Sequence, residues 1–334
     1  MFNVFNLNAE CGMNKLFDLV ADELNQVEVE LFQGLNSGIL LIDEVGTHIL
    51  KSGGKRFRPL IALLVSRFFN YQGKDHINLA CALEYLHTAT LLHDDVVDNG
   101  MIRRGNPSAN SVWGDKVSVL AGDFLFSHSF SLLVKIGILK ILKVFSKTTS
   151  QMAKGETLEL NHLGDLNLSE RDYFSIITDK TASLFSAACE SSAILGKAQK
   201  EVQHSLKIYG LNLGIAFQLI DDLLDYAGSS EEFGKSIGKD LKEKKITLPL
   251  IHTLWQLTEE KKKDVKAILE NEVLNEDSVS RIIQLITEEG GIDYTLKQAK
   301  IYSQQAKENL SPLPSSPEKI ALLEAADYVV ERKS

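Results

Sequence analysis

Apolar residues recur at intervals of three and four along most of the chain, the spacing that gives an α-helix one apolar face. Leu16, Leu19, Val20, Leu24, Val27 and Leu31, then Ile39, Leu40, Ile42, Val45 and Ile49, predict two amphipathic helices parted by the glycines near residues 34–38. The same reading predicts helices over 60–69, 78–98, 117–130, 137–160, 169–195 and 199–226, and again over 246–257, 259–274, 277–289, 294–310 and 317–332. No stretch alternates convincingly with a period of two, so the expected class is all-α.

Two of these helices end their apolar runs in acid. Leu91-Leu92-His93-Asp94-Asp95-Val96-Val97-Asp98 and Gln218-Leu219-Ile220-Asp221-Asp222-Leu223-Leu224-Asp225 each contain the pattern D-D-x-x-D. On a helix Asp94 and Asp98 lie one turn apart on one face, as do Asp221 and Asp225, with Asp95 and Asp222 about 100° round. Like charges so close repel, and an uncompensated carboxylate beside apolar surface is costly. A cation must offset them. Mg²⁺ takes oxygen ligands and commonly joins one or two carboxylates to phosphate oxygens, so the paired motifs point to a cluster of Mg²⁺ around a diphosphate. The plainer reading is two solvated helix ends, or acids paired with Lys and Arg.

Cationic segments sit near both motifs. Ser52-Gly53-Gly54-Lys55-Arg56-Phe57-Arg58-Pro59 sets glycines and cations before a proline suited to a helix's first turn, the makings of an anion site. His87 precedes Asp94 by two helical turns and lies nearly on the same face. Arg103 and Arg104, in the turn from Gly100 to Gly105, suit phosphate recognition, or salt bridges to the aspartates themselves. Residues 228–245 lose the apolar period and carry Lys235, Lys239, Lys242, Lys244 and Lys245 with Gly234 and Gly238. Such a stretch suits a cationic lid over a phosphate site, or a solvated linker.

At 334 residues and 44 % hydrophobic, the chain can bury a large core as one domain or two. A formal charge of −9 argues against nucleic acid or an anionic membrane as the main partner, so any basic site must be local. Cys11, Cys81 and Cys189 form no metal pattern, which favours a reduced, cytoplasmic setting. No signal peptide opens the sequence. The longest apolar candidate, 132–145, is interrupted by Lys135, Lys140 and Lys143 and is too short to span a bilayer. A helix in the core fits it better than one on a membrane surface.

Gly53-Gly54-Lys55-Arg56-Phe57-Arg58-Pro59, His93-Asp94-Asp95-x-x-Asp98 with Arg103-Arg104-Gly105, Lys180-Thr181, Gly214-x-x-Phe217-Gln218-x-x-Asp221-Asp222-x-x-Asp225 and Gly234-Lys235 through Thr247-Leu248-Pro249 closely resemble the trans-isoprenyl diphosphate synthases, or polyprenyl synthetases. The resemblance implies a single helical bundle around a deep central cavity, here one domain over 1–334, and a homodimer. It implies condensation of an allylic diphosphate with isopentenyl diphosphate, with two to three Mg²⁺ ions. Carried over, Asp94, Asp98 and Asp221 bind metal, and Asp95, Asp222 and Asp225 complete the clusters. Lys55, Arg58, His87 and Arg104 hold isopentenyl diphosphate. Arg103, Lys180, Thr181, Gln218, Lys235 and Lys245 hold the allylic diphosphate, Lys180 and Lys235 counting among the catalytic set. Lys244 departs from the family's usual glycine, and Glu159 from its usual glutamine.

Ala89 and Thr90 stand where short-chain members of the family carry a blocking Phe or Tyr. With no ring there the expected product is long, near octaprenyl (C40), for a quinone side chain, made on a farnesyl or geranylgeranyl primer. Phe124 or Phe126 then forms a lower floor, or packs in the core. Geranylgeranyl diphosphate synthase is the alternative, and a non-catalytic partner subunit a further one, although all six aspartates are present. A terpene cyclase needs no second D-D-x-x-D, and an HD phosphohydrolase needs grouped histidines that His87, His128, His162 and His204 do not supply. Peripheral membrane contact during product release is a further expectation.

Overall fold

Long helices form where the period of three to four foretold them, and the computed structural model describes residues 13–227, 238–271 and 274–332. In chain order they are α1 (Met13–Asp18), α2 (Ala21–Gln33), α3 (Leu40–Lys51), α4 (Phe57–Phe68), α5 (Asp75–Val97), α6 (Ala109–Trp113), α7 (Asp115–Ile136), α8 (Leu139–Asn161), α9 (Glu170–Ile177), α10 (Ser183–Leu195) and α11 (Lys200–Ala227). After residue 237 follow α12 (Lys239–Lys242), α13 (Leu248–Gln256), α14 (Glu259–Leu269), α15 (Glu276–Glu288), α16 (Gly291–Asn309) and α17 (Pro317–Glu331). The chain is an all-α bundle.

Three details differ from the sequence reading. A two-residue antiparallel pair, β1 (Ile102–Arg103) with β2 (Asn106–Pro107), closes the turn after α5, too short to leave a periodic signal. The stretch 132–145 is not one helix, because Gly137 takes a left-handed φ of 74° that ends α7 before α8 begins. Among the described residues, the helix long and apolar enough to cross a membrane is α7 itself, and a third of its most apolar stretch is buried inside the protein. Finally, 169–195 is interrupted by a π-turn, Thr178–Ala182, between α9 and α10. A π-turn inserts one residue into a helix and re-aims the side chains on it.

Helix α5 is apolar nearly all round, and accordingly buries Leu79, Ala80, Ala82, Leu83, Leu86 and Ala89 together. It packs along α7, while α11 packs between α10 and α16. The beginning of α5 (Leu79) meets the end of α7 (Leu133, Ile136), the start of α8 (Ile141) and the end of α10 (Ile194, Leu195) in one cluster. The acidic ends of α5 and α11 thus lie at one end of the bundle, and the α7–α8 turn at the other.

The loop between α3 and α4 is pinned from within. Arg56, in a left-handed conformation (φ 47°), pairs with Glu28 of α2 at 2.5 Å and Glu84 of α5 at 2.8 Å, all three buried. Losing one partner from such a set typically costs about 3–5 kcal/mol. This triad fixes Lys55 and Arg58 on either side of it.

Candidate active site

Both aspartate motifs stand at helix C-terminal ends, where unpaired carbonyls add partial negative charge to the carboxylates. Cations answer them. At the first motif, Lys245 Nζ donates to Asp98 Oδ2 at 2.7 Å and to Glu243 at 2.8 Å. Arg103 folds back to Asp95, its Nε 2.9 Å from Oδ1 and its Nη2 on the same oxygen. Asp94 faces Lys180, which is held by Glu156 at 2.8 Å and Glu159 at 2.5 Å. Burial first, and then the Glu156 carboxylate, push Asp94 up to about 7.

The second motif is anchored mostly by neutral donors. Asp222 accepts from Tyr173 Oη at 2.5 Å and Gln218 Nε2 at 2.7 Å, and Gln218 in turn accepts from Thr181 Oγ1 at 2.7 Å. Burial raises Asp222 to about 7. Asp225 accepts the backbone N–H groups of Lys239 and Asp240, at 3.1 and 2.9 Å, and so caps the start of α12. Asp221 alone meets a guanidinium, Arg332 Nη2 at 2.7 Å, which also donates to the Phe217 carbonyl and lies 4.0 Å over the Phe217 ring.

The π-turn explains how Lys180 and Thr181 reach the same space. It is gripped between two glycines: a Cβ on Gly155 of α8 would stand 2.5 Å from the Lys180 backbone nitrogen, and one on Gly214 of α11 2.6 Å from Ala182 Cα. Any side chain at either position would push the turn away. Lys180 is thereby aimed at α8 and Asp94, and Thr181 at Gln218 on α11.

A second set of cations gathers beside Asp221. Arg58 stacks on Phe185 at 4.6 Å and nears Phe217 at 5.9 Å, its Nε buried without a hydrogen-bond partner. Burial lowers it to about 10. Arg104 rests on Gly54, where a Cβ would come within 2.7 Å of its Nη1. His87 is held well below its ordinary value by burial and by Arg58, Arg104, Arg103 and Arg56, so it is neutral near pH 7. Lys55 donates to Tyr328 Oη of α17 at 2.9 Å.

Of the sequence-derived residues, Asp94, Asp95, Asp98, Lys180, Lys245 and Arg103 therefore gather at one cluster, Asp221, Asp222, Asp225, Thr181 and Gln218 at a second, and Arg58, His87 and Arg104 beside the latter. Lys235 and residues 228–237 of the expected lid lie outside the described residues, and 238–245 form α12 and its turn. Lys244 takes a φ of 59°, the left-handed region that the family's usual glycine enters freely, and its carbonyl accepts from Gly164 N–H at 2.8 Å. Sequence reasoning missed Arg332, Tyr173 and Glu156. Arg332 meets Asp221 only through tertiary folding, Tyr173 resembles any helical aromatic, but Glu156 sits one turn from Glu159 and offered a visible signal.

The donor set suits a divalent cation. Asp95 Oδ2 and Glu156 Oε1 are buried without hydrogen-bond partners, and an Asp raised to about 7 is a carboxylate short of positive charge. Among the described residues no three acids converge on one point as they stand, because Lys180, Lys245, Arg103 and Arg332 lie among them.

The polyprenyl synthetase family model matches residues 40–286. Octaprenyl diphosphate synthase of Escherichia coli (strain K12) is 38 % identical over 321 residues, 96 % of this chain and 99 % of that one. Geranylgeranyl diphosphate synthase of Saccharolobus solfataricus is 32 % identical over 93 % of this chain and 96 % of its own. A crystal structure of polyprenyl synthase from Caulobacter crescentus, complexed with calcium and isoprenyl diphosphate, superposes with a TM-score of 0.93 at 37 % identity, covering 96 % of this chain and 98 % of that one. The chain belongs to the polyprenyl synthetase family and is a chain-elongating prenyltransferase.

Proposed function

We propose that the protein condenses isopentenyl diphosphate with a farnesyl or geranylgeranyl primer to a long all-trans polyprenyl diphosphate, near octaprenyl (C40), for a quinone side chain. What supports the length is that positions 89 and 90 carry no ring. Ala89 is fully buried, and Thr90 turns its hydroxyl back to the His87 carbonyl at 2.8 Å. The nearest aromatic ring one turn down α5, Tyr85, donates its hydroxyl to Leu31 of α2 at 2.6 Å and is thereby drawn toward α2. Phe124 stacks on His128, whereas Phe126 borders both the upper and lower core clusters and is the better lower floor. The test is elongation from farnesyl diphosphate with isopentenyl diphosphate and Mg²⁺, read by product length. C40 within a range of C30 to C50 is expected, and Ala89→Tyr should shorten it to C15 or C20 because a ring overfills the channel. A wild type that stops at C15, or a variant with unchanged products, would overturn the reading.

The site supports this reaction. Asp94, Asp98 and Asp221 would hold two to three Mg²⁺ ions, which when bound would supply positive charge against the departing diphosphate. Lys180, Lys245 and Arg103 now pair with acids. When diphosphate arrives they turn to its oxygens, joined by Thr181, Gln218 and Lys235, while Arg58, Arg104, Lys55 and His87 grip isopentenyl diphosphate. The allylic C–O bond breaks, the isopentenyl double bond attacks the allylic carbon, and the proton lost in restoring an allylic double bond passes to the released diphosphate. Neutral His87 and lysines held charged by their carboxylates bind without consuming that proton.

The whole chain forms one such domain in this reading, since α17 beyond the matched span closes the site through Tyr328 and Arg332. The enzyme works in the cytoplasm, in keeping with buried free Cys81 and Cys189. It pairs with a second copy across the first half of α7, where Val119 and Leu120 are exposed, some four turns from Val134. Light scattering would measure that pairing, and Leu120→Glu should weaken it.

A further inference from the structure

Charge is unevenly spread along this acidic chain. Residues 124–155 contain five lysines and no Asp or Glu, although the sequence holds 45 acids in 334 residues. The fold brings Lys135, Lys140 and Lys143, around the α7–α8 turn, close to Lys197 and Lys200, around the α10–α11 turn, since Ile136 and Ile141 pack with Ile194 and Leu195 and Lys140 bonds Gln203 of α11. Lys135, Lys140, Lys143, Lys197 and Lys200 are all exposed, and among the described residues none of them forms an ion pair, whereas Lys154, farther along α8, pairs with Asp179. The nearby acids are few: Glu201, and Asp75, which is engaged by Tyr71 at 2.9 Å. Between the lysines two aliphatic side chains face outward, Val134 at 63 % and Leu139 at 65 % exposure.

We propose that this end of the bundle, opposite the aspartates, is a docking surface for an anionic lipid bilayer. Three features select that partner. Lysines ringed around exposed aliphatics match a headgroup layer over acyl chains, whereas a nucleic acid or acidic protein offers nothing to Leu139 and Val134. A second copy is disfavoured, since apposing this face to itself would bring like charges together. The proposed product is an apolar chain, and α5 runs from this end at Leu79 to the aspartates, so a chain growing past Ala89 would head this way. The overall charge of −9 repels such a membrane elsewhere on the surface, which leaves this face to set the orientation. The docking argument stands on the surface alone; its use in delivering a long product rests on the proposed function.

Flotation of the full-length protein without substrate tests it, using phosphatidylcholine vesicles with and without phosphatidylglycerol. Binding to the anionic vesicles is expected to fall with added salt, and to drop about tenfold or more in the combined variant Lys135→Glu, Lys140→Glu, Lys143→Glu. Leu139→Ser should weaken it less. Elongation in detergent and the helical circular dichroism of these variants should match wild type, which excludes misfolding. No binding to anionic vesicles, equal binding to neutral ones, or binding unmoved by the charge reversal would each overturn the proposal, as would retention on heparin without vesicle binding. None of these depends on product length, so failure here and failure of the chain-length reading are separable.

Discussion

The two aspartate ends share one sequence pattern and are built differently. At the end of α5, each carboxylate faces a long flexible cation whose own home is elsewhere: Lys245 past α12, Arg103 on the hairpin, Lys180 on the π-turn. At the end of α11, two of three carboxylates are tied by tyrosine, glutamine and backbone N–H groups, and only Asp221 faces a guanidinium. Ion pairs to flexible side chains exchange readily for other charges; buried neutral hydrogen bonds do not, since breaking them strands a donor. The first end is thus arranged to rearrange, and the second to hold still apart from Asp221.

The sharpest way to break that contrast is to delete one carboxylate at each end. Asp94→Ala and Asp221→Ala should each cut turnover by about 10²-fold or more, because each removes charge stabilisation felt in the transition state. Asp94→Ala should leave the melting temperature of the unliganded protein unchanged or raised, since it removes a buried carboxylate held near 7. Asp222→Ala should lower it, by about 1–3 kcal/mol in stability, because Tyr173 Oη is left buried and unpaired. Equal thermal behaviour of the two variants would erase the distinction.

The cations beside Asp221 sharpen it further. Arg58→Lys or Arg104→Lys should raise KM for isopentenyl diphosphate about tenfold and change KM for the allylic substrate less, because ammonium cannot match a fork-shaped guanidinium. Equal shifts for both substrates would contradict the division of the site.

Smaller effects follow from charge and backbone. His87 has a depressed value, so below its unfolded pKa of about 6.5 the unfolded chain binds more protons and stability falls with falling pH. Comparing denaturant midpoints of wild type and His87→Gln from pH 7 to 5 should isolate a slope of at most about 1.4 kcal/mol per pH unit. Smallest, Lys244→Gly should stabilise the turn after α12 by about 0.5–1 kcal/mol by relieving a left-handed backbone, with turnover unaltered. A loss of stability there would mean that the lysine side chain contributes more than its strained backbone costs.

Much of this site was readable in the sequence, because helical spacing alone puts Asp94 with Asp98 and Asp221 with Asp225, and paired glycines before Lys55 and Arg58 mark a loop rich in cations. What stayed hidden depended on chain segments far apart in sequence. Nothing near Arg332 announces Asp221, and nothing near Gly155 announces that it must admit the backbone of Lys180. The hydrophobic period also ran on through the π-turn, since α10 beyond it is buried nearly all round and a rotated apolar stripe leaves no polar gap. Lys244 is the opposite case: an oddity visible in the sequence whose meaning, a left-handed φ, needed the fold.

The π-turn has a further consequence, for how the chain tolerates changes of length. A one-residue deletion in the turn between α10 and α11 would be absorbed locally. The same deletion within Thr178–Ala182 would restore an ordinary helical register, swing Lys180 and Thr181 round by about 100°, and turn both away from their partners without touching either residue. Insertions and deletions in relatives should therefore collect in surface turns and avoid these five positions, and an alignment that places a gap there would pair non-equivalent residues through the whole of α10.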